Sequence, residues 1–430
     1  MLNLPIVVVA YNRDHALSRI LTALARAYYS SKTKLIISID GGGPESVVQI
    51  AEEFSWPHGE KEVIVHGRNM GLRKHILSCG ALSQKYDGII LLEDDLYVSP
   101  WFYDYAVQAS KFYQGVRDVS GIALYSHRYN ETAYLPFFPY DDGSDVFFMQ
   151  LACSWGQIWL QEQWKDFEDW YTGSGSDELI NEQDLPANVR LWPETSWKKY
   201  FIQYMILKNK YFVYPRQSYT TNFGDHGQNH VGVKTFQVPL AQGMKRPFCF
   251  AKIEDTKVKY DAFCEIEPDY IKKMNDNLSQ YEFVTDLYGT KEKHHFNKNY
   301  VLTSKECTKF SYSFDKTLIP IEANIIESIP GSSLFLAKRE DVKIEENINA
   351  YIFFKANSIE EQKYHYALGD QHFTMRRKGT ELHRTEINEV EKQLHIIMDS
   401  YSFRIGRAIV LPFSAMKRIA QNFMKNDTCR

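Results

Sequence analysis

Gly88-Ile89-Ile90-Leu91-Leu92-Glu93-Asp94-Asp95-Leu96 decides how the chain is read. Four apolar residues in a row, Ile89 to Leu92, read as a strand buried on both faces of a sheet. The strand runs straight into three carboxylates. Packing gives no reason for such an ending, because like charges repel and buried charge is costly. A divalent cation removes the cost. Hard oxygen ligands at the C-terminal end of a strand suit Mg²⁺ or Mn²⁺, with a diphosphate completing the coordination. That edge of a parallel sheet is also where α/β folds bind ligands. The bland alternative is a solvated acidic turn after a core strand.

Upstream, Leu4 to Ala10 reads as a first buried strand entering Tyr11-Asn12-Arg13. A helix then begins near Asp14, with Leu17, Ile20, Leu21 and Leu24 on one face. Arg13 and Arg19 lie in or near this strand-to-helix turn, where a phosphate could sit; surface ion pairs are the alternative. Lys34 to Ile39 is a second strand, ending at Asp40-Gly41-Gly42-Gly43. An aspartate there can accept hydrogen bonds from a ribose or a uracil, and the glycines would let a ligand approach the backbone. A plain turn explains the same residues. Val63 to His66 is a third strand, followed by Arg68-Asn69-Met70-Gly71-Leu72-Arg73-Lys74-His75 and a helix through Leu82. Strand and helix alternate, which predicts a parallel α/β sheet of nucleotide-binding type. No GxGxxG follows the first strand and no GxxxxGK[ST] occurs, so dinucleotide and P-loop sites are not indicated.

Tyr11-Asn12-Arg13 after one strand, Asp40-Gly41 after the next, the Asn69-x-Gly71-Leu72-Arg73-Lys74-His75 helix start and Glu93-Asp94-Asp95 together resemble the GT-A glycosyltransferases. The pattern is similar to the Golgi N-acetylglucosaminyltransferase I family and to bacterial family 2-like inverting transferases of polysaccharide and lipopolysaccharide synthesis. The resemblance implies a GT-A fold, a mostly parallel sheet flanked by helices, with a mixed α+β C-terminal extension here. It implies a UDP-sugar donor and a metal, Mn²⁺ or Mg²⁺, bound at Asp95 with Glu93 and Asp94 beside it. Asp40 would contact the nucleoside, His75 would lie near the uracil, and Tyr11, Arg13 and Arg73 would complete the nucleotide-sugar site.

Phe147 to Trp164 resembles the family's aromatic loop and helix beside the donor sugar, although Trp155, Trp159 and Trp164 serve equally as core. Leu191-Trp192-Pro193-Glu194-Thr195-Ser196-Trp197-Lys198-Lys199-Tyr200 aligns with a family Trp-Pro-x-x-x-Trp-Asp-Asp-Trp, whose first aspartate is the catalytic base. This chain has Lys198 there and Lys199 next. A carboxylate is better suited to deprotonating a sugar hydroxyl. Glu194, four residues earlier and expected one helical turn away on the same face, is the expected base. Glu168 and Asp169 are the reserves. In the glycine-punctuated stretch from Asn222 to His230, His230 is the expected diphosphate or metal contact, with His226 second.

At 430 residues the chain is long for one domain. The expected division is 1–250 as the catalytic domain (1–100 the nucleotide-binding half, 101–250 the acceptor half), 251–395 as an extension and 396–430 as a basic amphipathic tail. A net charge of −4 carries no nucleic-acid signature. The six cysteines (Cys79, Cys153, Cys249, Cys264, Cys307, Cys429) form no CxxC. With no signal peptide, this predicts reduced thiols and a cytoplasmic setting. No apolar run approaches the roughly 18 residues needed to span a bilayer. Tyr312 to Leu336 suggests a few strands, and His294-His295 is too isolated to mark a metal site. From Tyr401 to Lys425 apolar and basic residues interleave at helical spacing, as in a helix lying on anionic lipid; packing on the catalytic domain or a dimer contact is the alternative. The expected function is a metal-dependent inverting transfer from a UDP-sugar to a glycan or lipid-linked acceptor in surface polysaccharide synthesis. A nucleotidyltransferase and a non-catalytic sugar-nucleotide-binding module are the rivals.

Overall fold

In the computed structural model the apolar runs form strands close to their expected bounds. The structure describes residues 2–175, 184–227, 230–231, 236–244, 247–256 and 258–344. The expected tail at 396–430 with its membrane contact, and residues 345–395 of the expected extension, lie outside the described residues.

The central sheet has nine strands: β1 (Ile6–Ala10), β2 (Leu35–Ile39), β3 (Lys61–Val65), β4 (Gly88–Glu93), β5 (Val119–Ala123), β6 (Val146–Met149), β7 (Gln157–Leu160), β8 (Tyr211–Pro215) and β9 (Lys259–Tyr260). Their spatial order is β9-β6-β8-β5-β7-β4-β1-β2-β3. The pairs β3–β2, β2–β1 and β1–β4 are parallel, and β7 is antiparallel to both β4 and β5. The mostly parallel α/β architecture is as expected, although the sheet takes its last edge strand from beyond residue 250.

Alternation along the strands divides the core in two. Val7, Val9, Ile89 and Leu91 pack on one face with Ile76, Trp159, Trp164 and Phe201. Ile6, Val8, Ile90 and Leu92 pack on the other with Leu17, Ile20, Leu24 and Tyr105. Each fully buried aliphatic side chain contributes about 1.5–3 kcal/mol. The helices that cover the faces are α1 (Asp14–Arg26), α2 (Glu45–Glu53), α3 (Leu72–Gly80), α4 (Phe102–Tyr113), α5 (Gln161–Trp170) and α6 (Trp197–Lys208). The predicted apolar face of α1 is the buried one. Trp159 and Trp164 are core, while Trp155 is half-buried.

A second sheet follows, with β10 (Phe283–Asp286), β11 (Tyr300–Thr303), β12 (Tyr312–Phe314) and β13 (Leu334–Lys338) in the order β10-β11-β13-β12. Phe283, Leu302 and Leu336 join the same buried cluster as Trp159. Among the described residues five cysteines are free thiols, and no helix is long and apolar enough to cross a membrane.

Candidate active site

Parallel pairing brings the chemistry to one edge. Val9 stands opposite Glu93, and Ala10 opposite Ile39. The residues that follow these three strands, Tyr11 to Arg13, Asp40, and Asp94 with Asp95, therefore leave the sheet side by side. Arg13 bridges two of the acids: one guanidinium nitrogen pairs with Asp94 and the other lies 2.9 Å from Asp95 Oδ2. Asp94 and Asp95 are buried. Burial alone would lower the Arg13 pKa, but the Asp94 and Asp95 charges outweigh it and raise it. Burial pushes the Asp94 carboxyl up to about 6 against the pull of Arg13. Glu93 is pushed up to about 8, by burial first and then by the Asp95 charge.

Asp95 Oδ1 is buried and has no hydrogen-bond partner. An orphaned buried carboxylate oxygen costs on the order of 1–3 kcal/mol or more, and a hard divalent cation is a ligand that relieves it. The site thus fits Mn²⁺ or Mg²⁺, which Asp95 would hold.

Asp40 has a local task. Its Oδ1 accepts from the Gly41 and Met70 amides at 2.9 and 2.8 Å, and its Oδ2 from Gly71 at 3.1 Å. It pins the turn that starts α3 to the end of β2. Two of the glycines beside it, Gly41 and Gly43, make room for the protein's own backbone. A Cβ on Gly43 would stand 2.1 Å from the Tyr11 carbonyl, and one on Gly41 would stand 2.4 Å from the Arg68 carbonyl carbon. Tyr11 itself is half-buried. His75 is 2 % exposed, with Nε2 2.8 Å from Ser38 Oγ. Burial pushes its pKa down to about 4, so the ring is neutral and inside the fold, not open to a base ring.

Arg73 lies 4.8 Å over the Tyr200 ring, and the Tyr200 hydroxyl donates to Glu194. Glu194 Oε1 is also 3.5 Å from Lys199 Nζ. The Tyr200 hydrogen bond and then Lys199 hold the Glu194 carboxyl below its ordinary range. The expectation that Glu194 shares a helix face with Lys198 is corrected: α6 starts at Trp197, capped by the Ser196 side chain, and Glu194 lies in the preceding turn. Its side chain is 64 % exposed. Glu168 is held by Gln84, in the turn that leads into β4, at the opposite edge of the sheet from the acids. Asp169 pairs with Lys165 on the exposed side of α5. The structure does not bring these two to the carboxylate edge.

Lys198 does face it. Its ammonium lies 4.9 Å from the Trp155 ring centre and 5.1 Å from that of Trp192, and its charge reaches Glu93. Glu131 is 3.6 Å away. Nothing in the sequence around Glu131 signals this, because no motif or periodic element contains it. Downstream, Thr220–Asn222 pairs with Leu96–Val98, and the Phe223 amide donates to the Asp95 carbonyl at 2.9 Å. Arg19 stacks 3.8 Å over Phe223 and pairs with Asp225, an ion pair and not a phosphate contact. The side chains of His226 and His230 lie outside the described residues.

No curated protein matches the chain in sequence. Similar solved structures include S. aureus TarS 1–349 in complex with UDP-GlcNAc, 12 % identical over 52 % of this chain and 60 % of that one, with a TM-score of 0.35. The mannosyltransferase PcManGT from Pyrobaculum calidifontis, with GDP-Man and Mn²⁺, is 11 % identical over 43 % of this chain and 51 % of that one, with a TM-score of 0.29. GalNAc-T7 with UDP, GalNAc and Mn²⁺ is 12 % identical over 50 % and 43 %, with a TM-score of 0.34. The chain spans less than two thirds of each of these proteins. Residues 6–160, from β1 to β7, match the model described as glycosyl transferase family 2, and over that stretch the resemblance to a GT-A glycosyltransferase read from the sequence is borne out.

Proposed function

We propose that the chain is a metal-assisted, inverting glycosyltransferase that moves a sugar from a UDP-sugar to a hydroxyl of a glycan or lipid-linked acceptor. The setting proposed is surface polysaccharide or lipopolysaccharide synthesis at the cytoplasmic face of the plasma membrane. One observation carries the reading: Asp95 keeps a buried, unpartnered carboxylate oxygen at the C-terminal edge of β4, beside Arg13. The family match over residues 6–160 supports it.

Asp95 would hold Mn²⁺ or Mg²⁺, and the ion, when bound, supplies charge neutralisation to the departing diphosphate. Arg13 presents a two-pronged donor at the same place, suited to phosphate oxygens. Asp40 fixes the turn before α3, and a nucleoside would rest against that turn. A carboxylate takes the proton from the acceptor hydroxyl as it attacks the anomeric carbon from the face opposite the leaving group. Glu194 is the carboxylate that the sequence offers for this step.

UDP binding with and without Mn²⁺ tests the metal assignment. Asp95→Asn is expected to lose the manganese-dependent part of the affinity while keeping the rest.

A further inference from the structure

Beside the acid tip, a half-buried cation sits between aromatic rings and a carboxylate. Gln157 of β7 stands opposite Leu91, two residues before Glu93, so Trp155, two residues before Gln157, borders the end of β4. The Lys198 ammonium rests over Trp155 and Trp192 and within electrostatic reach of Glu93. Its side chain is 13 % exposed. On its other side it holds Glu131 at 3.6 Å, with a side chain 25 % exposed. Lys198 therefore joins the Trp155 and Trp192 rings, which border the end of β4, to a second, separate carboxylate.

The backbone presents Glu131 rigidly. The neighbouring Asn130 is fully buried, and its Oδ1 accepts from the Thr132 and Ala133 amides at 3.0 Å each. Its Nδ2 donates to the Phe263 carbonyl at 3.2 Å. Thr132 Oγ1 donates to Asn188 Oδ1 at 2.7 Å. A carboxylate fixed by locked neighbours suits a positioned proton acceptor. Glu194, by contrast, is mostly exposed and engaged by Tyr200 and Lys199.

The geometry points to Glu131 as the general base, with Lys198 as the residue that positions it and Trp155 and Trp192 as the acceptor sugar's walls. This rests on the reading of the chain as a glycosyltransferase. In the step, the acceptor oxygen bonds to the anomeric carbon and its proton passes to the Glu131 carboxylate. The bond from that carbon to the diphosphate oxygen breaks, and its electron pair leaves with UDP. Water can take the acceptor's place in the same step, so donor hydrolysis reports on the base.

The test uses the full chain with Mn²⁺ and a panel of UDP-sugars, with water as acceptor and UDP release as the readout. Glu131→Gln is expected to lower kcat by about 100-fold or more, with the donor KM and UDP–Mn²⁺ binding within threefold of wild type. Glu131→Asp should recover part of the loss. Retained UDP–Mn²⁺ binding shows that each variant is folded. Near-normal turnover by Glu131→Gln, or a 100-fold loss in Glu194→Gln alone, overturns the assignment and leaves the glycosyltransferase reading standing. A wild-type chain that binds UDP–Mn²⁺ but releases no UDP from any donor overturns that reading, and the assignment with it.

Discussion

Single residues at the strand ends do two kinds of work, and their local sequence does not distinguish them. Asp95 and Arg13 face each other at the edge, whereas His75, four residues after Gly71, turns into the core against Ser38. Its consequence is a pH effect. An unfolded histidine titrates near 6.5, but burial pushes His75 down to about 4. Between these values the unfolded chain takes up a proton that the folded chain refuses. The contribution of this site to stability is therefore full above about 6.5 and falls as pH drops towards 4, by about 2 kcal/mol at pH 5. His75→Gln removes that dependence. Melting curves at pH 7.5 and pH 5 should show a smaller drop for the variant than for wild type, and equal drops would count against the buried neutral ring. The carboxylate run at Glu93 to Asp95 was legible because charge at the end of an apolar strand is anomalous by itself. The inward turn of His75 was not, since a histidine on an amphipathic helix reads the same whether it faces Ser38 or a ligand.

Elements were legible wherever burial imposed a period. The runs at Ile6–Ala10, Leu35–Ile39 and Gly88–Glu93 are strands, and the Leu17, Ile20, Leu21, Leu24 stripe is a buried helix face. The start of α6 was misplaced, because Trp192 to Tyr200 shows no period and the boundary is set by a cap. The Ser196 side chain accepts from the Lys199 amide at 3.4 Å, and this places Glu194 in a turn. Ser196→Ala should lower stability by about 1 kcal/mol, read as a shift in the denaturant midpoint with UDP–Mn²⁺ affinity preserved. An unmoved midpoint would mean that the cap does not hold the helix start. Lys198 lies in the first turn of this helix, so the cap also fixes the entry of the cation beside Glu131.

At the scale of the whole molecule, the site is assembled from segments far apart in sequence. Glu131, Trp155 and Lys198 meet only through the antiparallel insertion of β7 between β4 and β5. Such a meeting leaves no trace in local sequence, which is why Glu131 was not among the expected residues. The second sheet shares its core with the first through Phe283 and Leu336. For the chain's far end, the interleaved apolar and basic residues from Tyr401 to Lys425 predict binding to anionic vesicles. In flotation, the full chain should rise with the vesicles and a chain cut after Ser400 should stay behind; equal partitioning would remove the tail from that role.

The central claim is that Asp95 holds a cation against diphosphate oxygens. Calorimetric titration of UDP into the full chain, with and without Mn²⁺ and repeated on Asp95→Asn, tests it most directly. Manganese should tighten UDP binding to the wild-type chain by at least about tenfold, a gain of about 1.4 kcal/mol, and should change nothing in the variant. Equal tightening in both proteins, or none in either, would contradict the account.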